Sequence, residues 1–400
     1  MAEAFISRRG GGMTINGQEI MDVVFGETIN RGDRVVMSLS IPSLKVEDPS
    51  TLPTGDGKGC AFSPDGTYLV VAYASPPYIT IYKRSGDTFT KLDNPSELPS
   101  GTAYECAFSP DGTYLAVAHG GSSHITIYKR SGDTFTKLSD PSSLPPNAAL
   151  GCAFSPDGMY LAVSHFISPY ITIYKRSGDT FTKLSNPSSR PTDTAYGCAF
   201  SPDGTYLAVV HASSPYITIY KRSGDTFTKL SNPSTLPTDT GRGCAFSPDG
   251  MYLAVAHAGS PYITIYKRSG DTFTKLSNPS SLPTVHGYDC AFSPDGMYLA
   301  VAHWSSPYIT RYKRSGDKFT KLSNPSSLPA SNGHGCAFSP DGMYLAVAHE
   351  SSPYITIYIA EYQANLYIDG STYDSDSLLG YAVESGTSNE TKKVAKLFKI

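Results

Sequence analysis

The chain has 400 residues, of which 40% are hydrophobic and 17% charged, and its formal net charge is −3. A near-neutral balance without a basic run argues against nucleic-acid binding. No apolar stretch approaches the about 20 residues that a membrane helix needs. Residues 1–12 carry Arg8 and Arg9 but no apolar core, so we expect neither membrane insertion nor a secretory signal.

The first predicted elements lie in residues 13–42. Residues 14–20 read Thr-Ile-Asn-Gly-Gln-Glu-Ile, which predicts a tight hairpin, and residues 26–36 predict a strand, a turn and a second strand. The adhesion-like tripeptide Arg31-Gly32-Asp33 falls in that turn. Because Gly-Asp pairs suit turns in any protein, we interpret the tripeptide as a turn.

The next part of the chain is a repeat of 46 residues. Its seven cysteines mark seven units, at Cys60, Cys106, Cys152, Cys198, Cys244, Cys290 and Cys336. The unit that begins at Cys106 contains four predicted strands, at 106–109, 114–119, 125–128 and 135–138, and no helical spacing of apolar residues. Four short strands per unit of about 40–45 residues are typical of a β-propeller blade. Residues 115–118 are apolar on both faces, as a sheet between two neighbouring blades requires.

The two ends of the repeat predict how the ring closes. The seventh unit departs from the repeat after Tyr358 and lacks the fourth strand. Residues 43–53, before the first cysteine, match residues 89–99 at the same offset, so they supply that strand. We therefore predict an all-β fold, a seven-bladed propeller of four-stranded blades over residues 43–362. Residues 1–42 and 363–400 form the two halves of a small β module.

The run Phe-Ser-Pro-Asp-Gly-x-Tyr-Leu-Ala-Val resembles the first two strands of tryptophan–aspartate (WD) repeat propellers and their relatives. Tyrosine stands where that family has tryptophan, and the family's Gly-His pair is absent. The resemblance therefore implies the architecture, and not the internal hydrogen-bond tetrad of the family. A fold resemblance alone implies no activity.

Cysteine, histidine and tyrosine recur at fixed positions of the repeat, and each has a structural interpretation. Equivalent cysteines on neighbouring blades should lie too far apart for disulfides, so we expect small buried residues made in a reducing compartment. Histidines on separate blades cannot converge on one ion, so we expect loop anchors: Tyr73, His119, His165, His211, His257, His303 and His349. The tyrosine rows, exemplified by Tyr68 and Tyr82, pack between blades. We predict no metal, because there is no Cys-x-x-Cys and no other local ligand pattern. We predict no cofactor and no catalytic residue, because there is no phosphate-binding loop and no nucleophile elbow.

The segments outside the ring carry a second resemblance. Predicted strands follow the ring at 366–370 and 379–383, residues 369–376 lack calcium-loop spacing, and a basic segment ends the chain. The run Gly-Glu-Thr-Ile-x-x-Gly-Asp-x-Val at 26–35, with Leu-Gly-x-Ala-x-x-Ser-Gly at 379–386, resembles a small β module of bacteriophage structural proteins. Residues 4–11 resemble the start of phage tail proteins of Gram-positive hosts. The resemblance implies a virion protein, made in the host cytoplasm and attached to other virion proteins through this module.

Function is expected where the seven near-identical blades differ. One variable position lies two residues before each cysteine, and another follows the second strand; both are predicted in connections at one mouth of the channel. Aromatic and cationic residues are common interface anchors, although exposed loops also vary freely. The candidate binding residues are Lys58, Tyr104, Phe166, Tyr196, Arg242, Tyr288, Trp304, His334 and Glu350.

Three functions remain open. The first is a non-enzymatic phage protein, in the tail or as a decoration, whose variable face binds a bacterial surface glycan or protein. The second is an enzyme resembling lactonase propellers, for which only Glu105 and Asp289 stand out on the inner strands. The third is an intracellular scaffold for protein partners. The near-identity of the other inner-strand residues argues against the enzyme, and the phage-like flanks and the lack of charged peptide-binding loops argue against the scaffold, so the first is favoured. The sequence leaves the oligomeric state, including a homo-oligomer, open.

Overall fold

Thirty-three strands were located in the computed structural model, which describes residues 44–360 in full and, outside them, the backbone of six strands. The contacts divide the chain into two units, residues 43–360 and residues 1–42 with 361–400. The six strands of the second unit are β1 (Ile6–Arg9), β2 (Gly12–Ile15), β3 (Gln18–Ile20), β4 (Arg34–Ile41), β32 (Tyr362–Asp369) and β33 (Tyr381–Val383).

The larger unit is a propeller of seven antiparallel sheets. Blades one to four consist of β5 (Gly57–Phe62), β6 (Tyr68–Tyr73), β7 (Ile79–Ser85) and β8 (Thr88–Lys91); β9 (Ala103–Phe108), β10 (Tyr114–His119), β11 (Ile125–Ser131) and β12 (Thr134–Lys137); β13 (Ala149–Phe154), β14 (Tyr160–His165), β15 (Ile171–Ser177) and β16 (Thr180–Lys183); β17 (Ala195–Phe200), β18 (Tyr206–His211), β19 (Ile217–Ser223) and β20 (Thr226–Lys229). Blades five to seven consist of β21 (Gly241–Phe246), β22 (Tyr252–His257), β23 (Ile263–Ser269) and β24 (Thr272–Lys275); β25 (Gly287–Phe292), β26 (Tyr298–His303), β27 (Ile309–Ser315) and β28 (Lys318–Lys321); β29 (Gly333–Phe338), β30 (Tyr344–His349) and β31 (Ile355–Ile359). The predicted all-β, seven-bladed fold is confirmed. The residues that the structure describes include no helix that could cross a membrane.

The core consists of apolar layers between neighbouring blades. The second strand of blade two, β10, is buried along its whole length. Its Leu115 and Val117 pack against Val70 and Ile79 of blade one, while Ala116 and Ala118 face blade three. Burial on both faces explains why this strand does not alternate between apolar and polar residues. A fully buried leucine or valine stabilises the fold by about 1.5–3 kcal/mol, so each junction between blades makes a large contribution.

Residues 44–46 close the ring as predicted. Lys45 pairs antiparallel with Tyr358, the N–H of Val46 donates to the Ile357 carbonyl at 2.8 Å, and the N–H of Ile359 donates to the Leu44 carbonyl at 2.9 Å. This register is the one that β8 has with β7 in blade one. The Val46 side chain is buried beside Phe89 of blade one. The N-terminal segment therefore completes blade seven and joins it to blade one.

The Ser-Pro-Asp-Gly and Lys-Arg-Ser-Gly-Asp turns meet at the same end of the ring and form a polar contact that we call the latch. Between blades four and five, Tyr206 donates to Asp271 at 2.5 Å, and Lys221 pairs with the same carboxylate at 2.8 Å. Arg268 of blade five lies over the Tyr206 ring at 5.0 Å and pairs with Asp203 at 3.6 Å. Equivalent tyrosine, arginine and aspartate contacts link the other neighbouring blades from one to six, and they also link blade seven to blade one. Blade seven has Ile359 and Ala360 in place of lysine and arginine, so the described residues do not form this latch between blades six and seven.

The terminal unit has two three-stranded sheets. β1, β2 and β3 are antiparallel, and β2 and β3 pair with Ile15 opposite Gln18, as the predicted hairpin requires. β32 lies between β33 and β4. The Arg31-Gly32-Asp33 turn, residues 370–376 and most of the two phage-like runs lie outside the described residues. The predicted attachment module stays a prediction.

Candidate recognition surface at one mouth of the channel

The variable residue before each cysteine lies inside the innermost strand and not in a connection, which corrects the prediction. In blade six, Gly287 pairs with His303 and Asp289 with Ala302, so Tyr288 is the extra residue of a β-bulge. The same shift occurs in all seven blades, at Lys58, Tyr104, Leu150, Tyr196, Arg242, Tyr288 and His334. The predicted first strand began too late because the sequence pattern does not show the bulge. A bulge redirects one side chain without breaking the sheet, which suits a binding position.

The second variable position begins the loop after the second strand, and its backbone is fixed. The N–H of Trp304 donates to the His286 carbonyl at 3.2 Å, and within the loop the N–H of Tyr308 donates to the Ser305 carbonyl at 2.8 Å. Tyr308 has a φ of 66°, and its equivalents in the other blades also have positive φ, an uncommon conformation for residues other than glycine. One backbone shape therefore presents a different side chain in each blade.

Six of the nine candidate residues come together across blades four to seven. The Arg242 guanidinium lies over the Tyr196 ring at 4.4 Å and over the Tyr288 ring at 5.6 Å. Tyr288 stacks on Trp304 at 5.6 Å, and its ring meets His334 edge to face at 4.8 Å. Trp304 is 40% exposed. We call this set the aromatic arc, and its members are Tyr196, Arg242, Tyr288, Trp304, His334 and Glu350.

The arc ends in a polar group on blade seven. His334 Nε2 lies 2.7 Å from one Glu350 carboxylate oxygen, and Asn332 Nδ2 donates to the other at 2.9 Å. Burial lowers the pKa of His334 from its ordinary value, the charge of Lys58 lowers it further, and Glu350 opposes both. The pKa of Glu350 is lowered by His334 and Asn332, although burial acts in the opposite direction. At neutral pH we therefore expect an ionised Glu350 that accepts a hydrogen bond from a neutral His334.

The other three candidates lie apart from this contact chain. Tyr104 of blade two packs beside Gly120 and has no aromatic or cationic ring contact among the described residues. Phe166 of blade three is 51% exposed. Lys58 of blade one lies 3.9 Å from Asp56 and is close enough to affect the pKa of His334. Thus the structure brings together the candidates of blades four to seven, with Lys58 beside their end.

Sequence comparison of the blades missed Asn332. It occupies the position four residues before the cysteine, which also varies between blades: Asp56, Thr102, Ala148, Thr194, Thr240, His286 and Asn332. Including that position in the comparison would have found Asn332.

The recurrent histidines are loop anchors, as predicted. His211 Nε2 lies 3.0 Å from Thr218 Oγ1 on the next strand, and its Nδ1 lies 2.9 Å from the Ser213 carbonyl. Burial lowers the pKa of His211 to about 4. The recurrent cysteines carry free thiols, and Cys106 Sγ, for example, lies 3.8 Å from the Val70 carbonyl of blade one.

Glu105 and Asp289 stand on the innermost strands, where the other blades have glycine. Glu105 accepts from the Cys106 N–H at 2.9 Å, and Asp289 accepts from the Cys336 N–H of blade seven at 3.0 Å. Burial raises the pKa of Asp289 to about 6. Burial also raises the pKa of Glu105 well above its ordinary value, and the negative charge of Asp289 raises it further. In the described part of the chain, no three His, Cys, Asp or Glu side chains are placed to hold a metal ion.

Comparisons with known proteins bear on the fold. No protein-family model matches the sequence, and neither does any curated protein. Among solved structures, hydrazine synthase of Kuenenia stuttgartiensis is similar, with a TM-score of 0.61 and 17% sequence identity over 77% of this chain and 96% of that chain. At this identity the similarity shows the fold alone, and the chain is similar to that protein as a propeller.

Proposed function

We propose that this chain is a non-enzymatic recognition protein that binds a bacterial surface glycan or protein through the variable mouth of its propeller. The observation that carries the proposal is the aromatic arc. Its six residues come from four successive blades and touch in sequence, from Tyr196 on blade four to Glu350 on blade seven. Tyrosine, tryptophan and arginine in such a group are the residue types that dominate binding energy at interfaces.

Comparison of the blades supports this assignment. The latch turns at the opposite end repeat with little change, and their side chains are already paired with one another. At the mouth, the backbone repeats while the side chains differ. Six of the nine candidate side chains form one continuous group over blades four to seven, rather than standing apart from one another. The group also includes Trp304, the single tryptophan of the chain.

The proposal extends to a phage particle. This part of the proposal is based on the resemblance of residues 26–35 and 379–386 to the β module of phage structural proteins. In this setting the terminal module binds other virion proteins, in the tail or as a decoration, and the propeller mouth faces the host cell. Mass spectrometry of purified particles from the source phage tests this part, because a virion protein remains with the particles through density-gradient purification.

Binding of the labelled full chain to a panel of bacterial cells tests recognition. The arc variant carries Tyr196→Ala, Tyr288→Ala and Trp304→Ala, and the control variant carries Tyr104→Ala and Phe166→Ala at equivalent positions of blades two and three. We expect the arc variant to lose binding and the control to retain it, with both folded by circular dichroism. Equal binding by the parent and the arc variant would refute the recognition surface. Turnover of lactone substrates by the parent would instead favour the enzyme.

A further inference from the structure

We infer that the aromatic arc takes an anionic saccharide, with Arg242 as the residue that binds its carboxylate or phosphate group. The inference rests on the proposed function, since it names the ligand class of the same surface.

Six other arginines of the described residues lie over a tyrosine ring, and each also pairs with an aspartate. In the latch between blades three and four, Arg222 lies 4.8 Å from the Tyr160 ring centre and 2.7 Å from Asp157. The six are Arg84, Arg130, Arg176, Arg222, Arg268 and Arg314. In every case the guanidinium lies over the ring and forms an ion pair with an aspartate at 2.6–3.9 Å.

Arg242 has the contact with a tyrosine ring but lacks the ion pair with a carboxylate. Tyr196 and Tyr288 hold its guanidinium at 4.4 and 5.6 Å, but no carboxylate of the described residues forms an ion pair with it. Its guanidinium is therefore oriented while its N–H donors remain open to a ligand. A guanidinium fork matches planar carboxylate and phosphate groups with two parallel hydrogen bonds.

The rest of the arc favours a sugar as the carrier of that anion. Tyr288 separates Arg242 from Trp304, and the centre of its ring lies 5.6 Å from each. Trp304 is exposed enough to stack against the C–H face of a pyranose ring. Glu350 accepts hydrogen bonds from His334 and Asn332, so its carboxylate is engaged within blade seven. Lys58 adds a second positive charge near that end.

A glycan microarray with neutral, uronic-acid and phosphate-bearing saccharides tests the inference on the full chain. The variants are Arg242→Gln, Arg242→Lys and, as a charge-matched control, Arg190→Gln, which removes an exposed arginine outside the arc. We expect anionic saccharides to bind more tightly than their neutral counterparts. Loss of a charge-assisted hydrogen bond predicts at least about tenfold weaker binding for Arg242→Gln. Arg242→Lys should also weaken binding because lysine lacks the planar fork, while Arg190→Gln should bind like the parent.

The outcomes separate the two proposals. Preference for uronic acids or for phosphates identifies the source of the anion, and either result supports the inference. Equal binding of neutral and anionic saccharides, with no effect of Arg242→Gln, overturns the inference and leaves the recognition surface in place. Equal losses for Arg242→Gln and Arg190→Gln would also overturn it, because they would indicate attraction by total charge. Absence of saccharide binding overturns it as well, and cell binding by the arc variant then decides the proposed function.

Discussion

Replacing Tyr288 with alanine tests the arc at its centre, because the Tyr288 ring makes three aromatic or cation–π contacts, more than any other arc residue. Its ring contacts Arg242 at 5.6 Å, Trp304 at 5.6 Å and His334 at 4.8 Å. Aromatic pairs contribute about 0.5–1.5 kcal/mol each and a cation over an exposed ring about 0.5–1 kcal/mol. Among the described residues, removing the ring leaves Arg242 held only by Tyr196 and Trp304 only by His334, so both side chains are less well fixed for binding.

We expect Tyr288→Ala to weaken binding to bacterial cells by about 2 kcal/mol or more, which is about thirtyfold. The matched control is Tyr104→Ala, the same residue type at the same bulge of blade two, which has no such ring contacts among the described residues. Its effect should stay within about 0.5 kcal/mol, or about twofold. Titration of the fluorescently labelled proteins on cells measures both, and thermal unfolding shows that both are folded. Equal losses for the two variants would refute the reasoning, because they would show that the whole mouth binds evenly.

Three further predictions follow from the buried groups and the closely packed strands. Trp304 fluorescence should fall on acidification, at a pH below the ordinary titration range of histidine, because burial lowers the pKa of His334 and the protonated imidazole quenches the nearby indole. His334→Gln should flatten the titration, while His286→Gln should not. Gly243→Ala should lower the free energy of unfolding, measured by urea denaturation, by about 1–3 kcal/mol, because the added Cβ would lie 2.7 Å from the Asp289 Cα. Gly120→Ala is the control and should have little effect, because its added Cβ would lie 3.6 Å from the Tyr104 ring. Stability should fall from pH 6.5 towards pH 4, since the unfolded chain takes up protons on histidines whose folded pKa is about 4. The fall should be smaller in His257→Tyr, which copies Tyr73 of blade one, and an equal fall would contradict the anchor role.

The fold was predictable because the same sequence pattern occurs seven times. The cysteine period, the match of residues 43–53 to residues 89–99 and the departure after Tyr358 together predicted the blade count and the closing strand. Each of these signals is a direct comparison of one repeat with another, and the register at Lys45 and Tyr358 agrees with them.

The arrangement of the site was less predictable. Blade comparison found Arg242, Tyr288 and Trp304, but it could not show that they touch, because that depends on side-chain positions across junctions between blades. It also placed the first variable residue in a connection, since a one-residue bulge leaves no mark in the hydrophobic pattern. Blade comparison could not predict the latch either, because the latch also depends on side-chain positions across a junction between blades. Arg222 and Asp157, for example, pair although they are 65 residues apart in sequence.

A crystal structure of the full chain with the saccharide that binds most tightly on the array is the most direct test of the recognition surface. We expect electron density for a sugar ring against Trp304, with its anionic group bound by Arg242 between the Tyr196 and Tyr288 rings. A ligand bound beside Phe166, or in the channel at Glu105 and Asp289, with the arc unoccupied, would contradict the account.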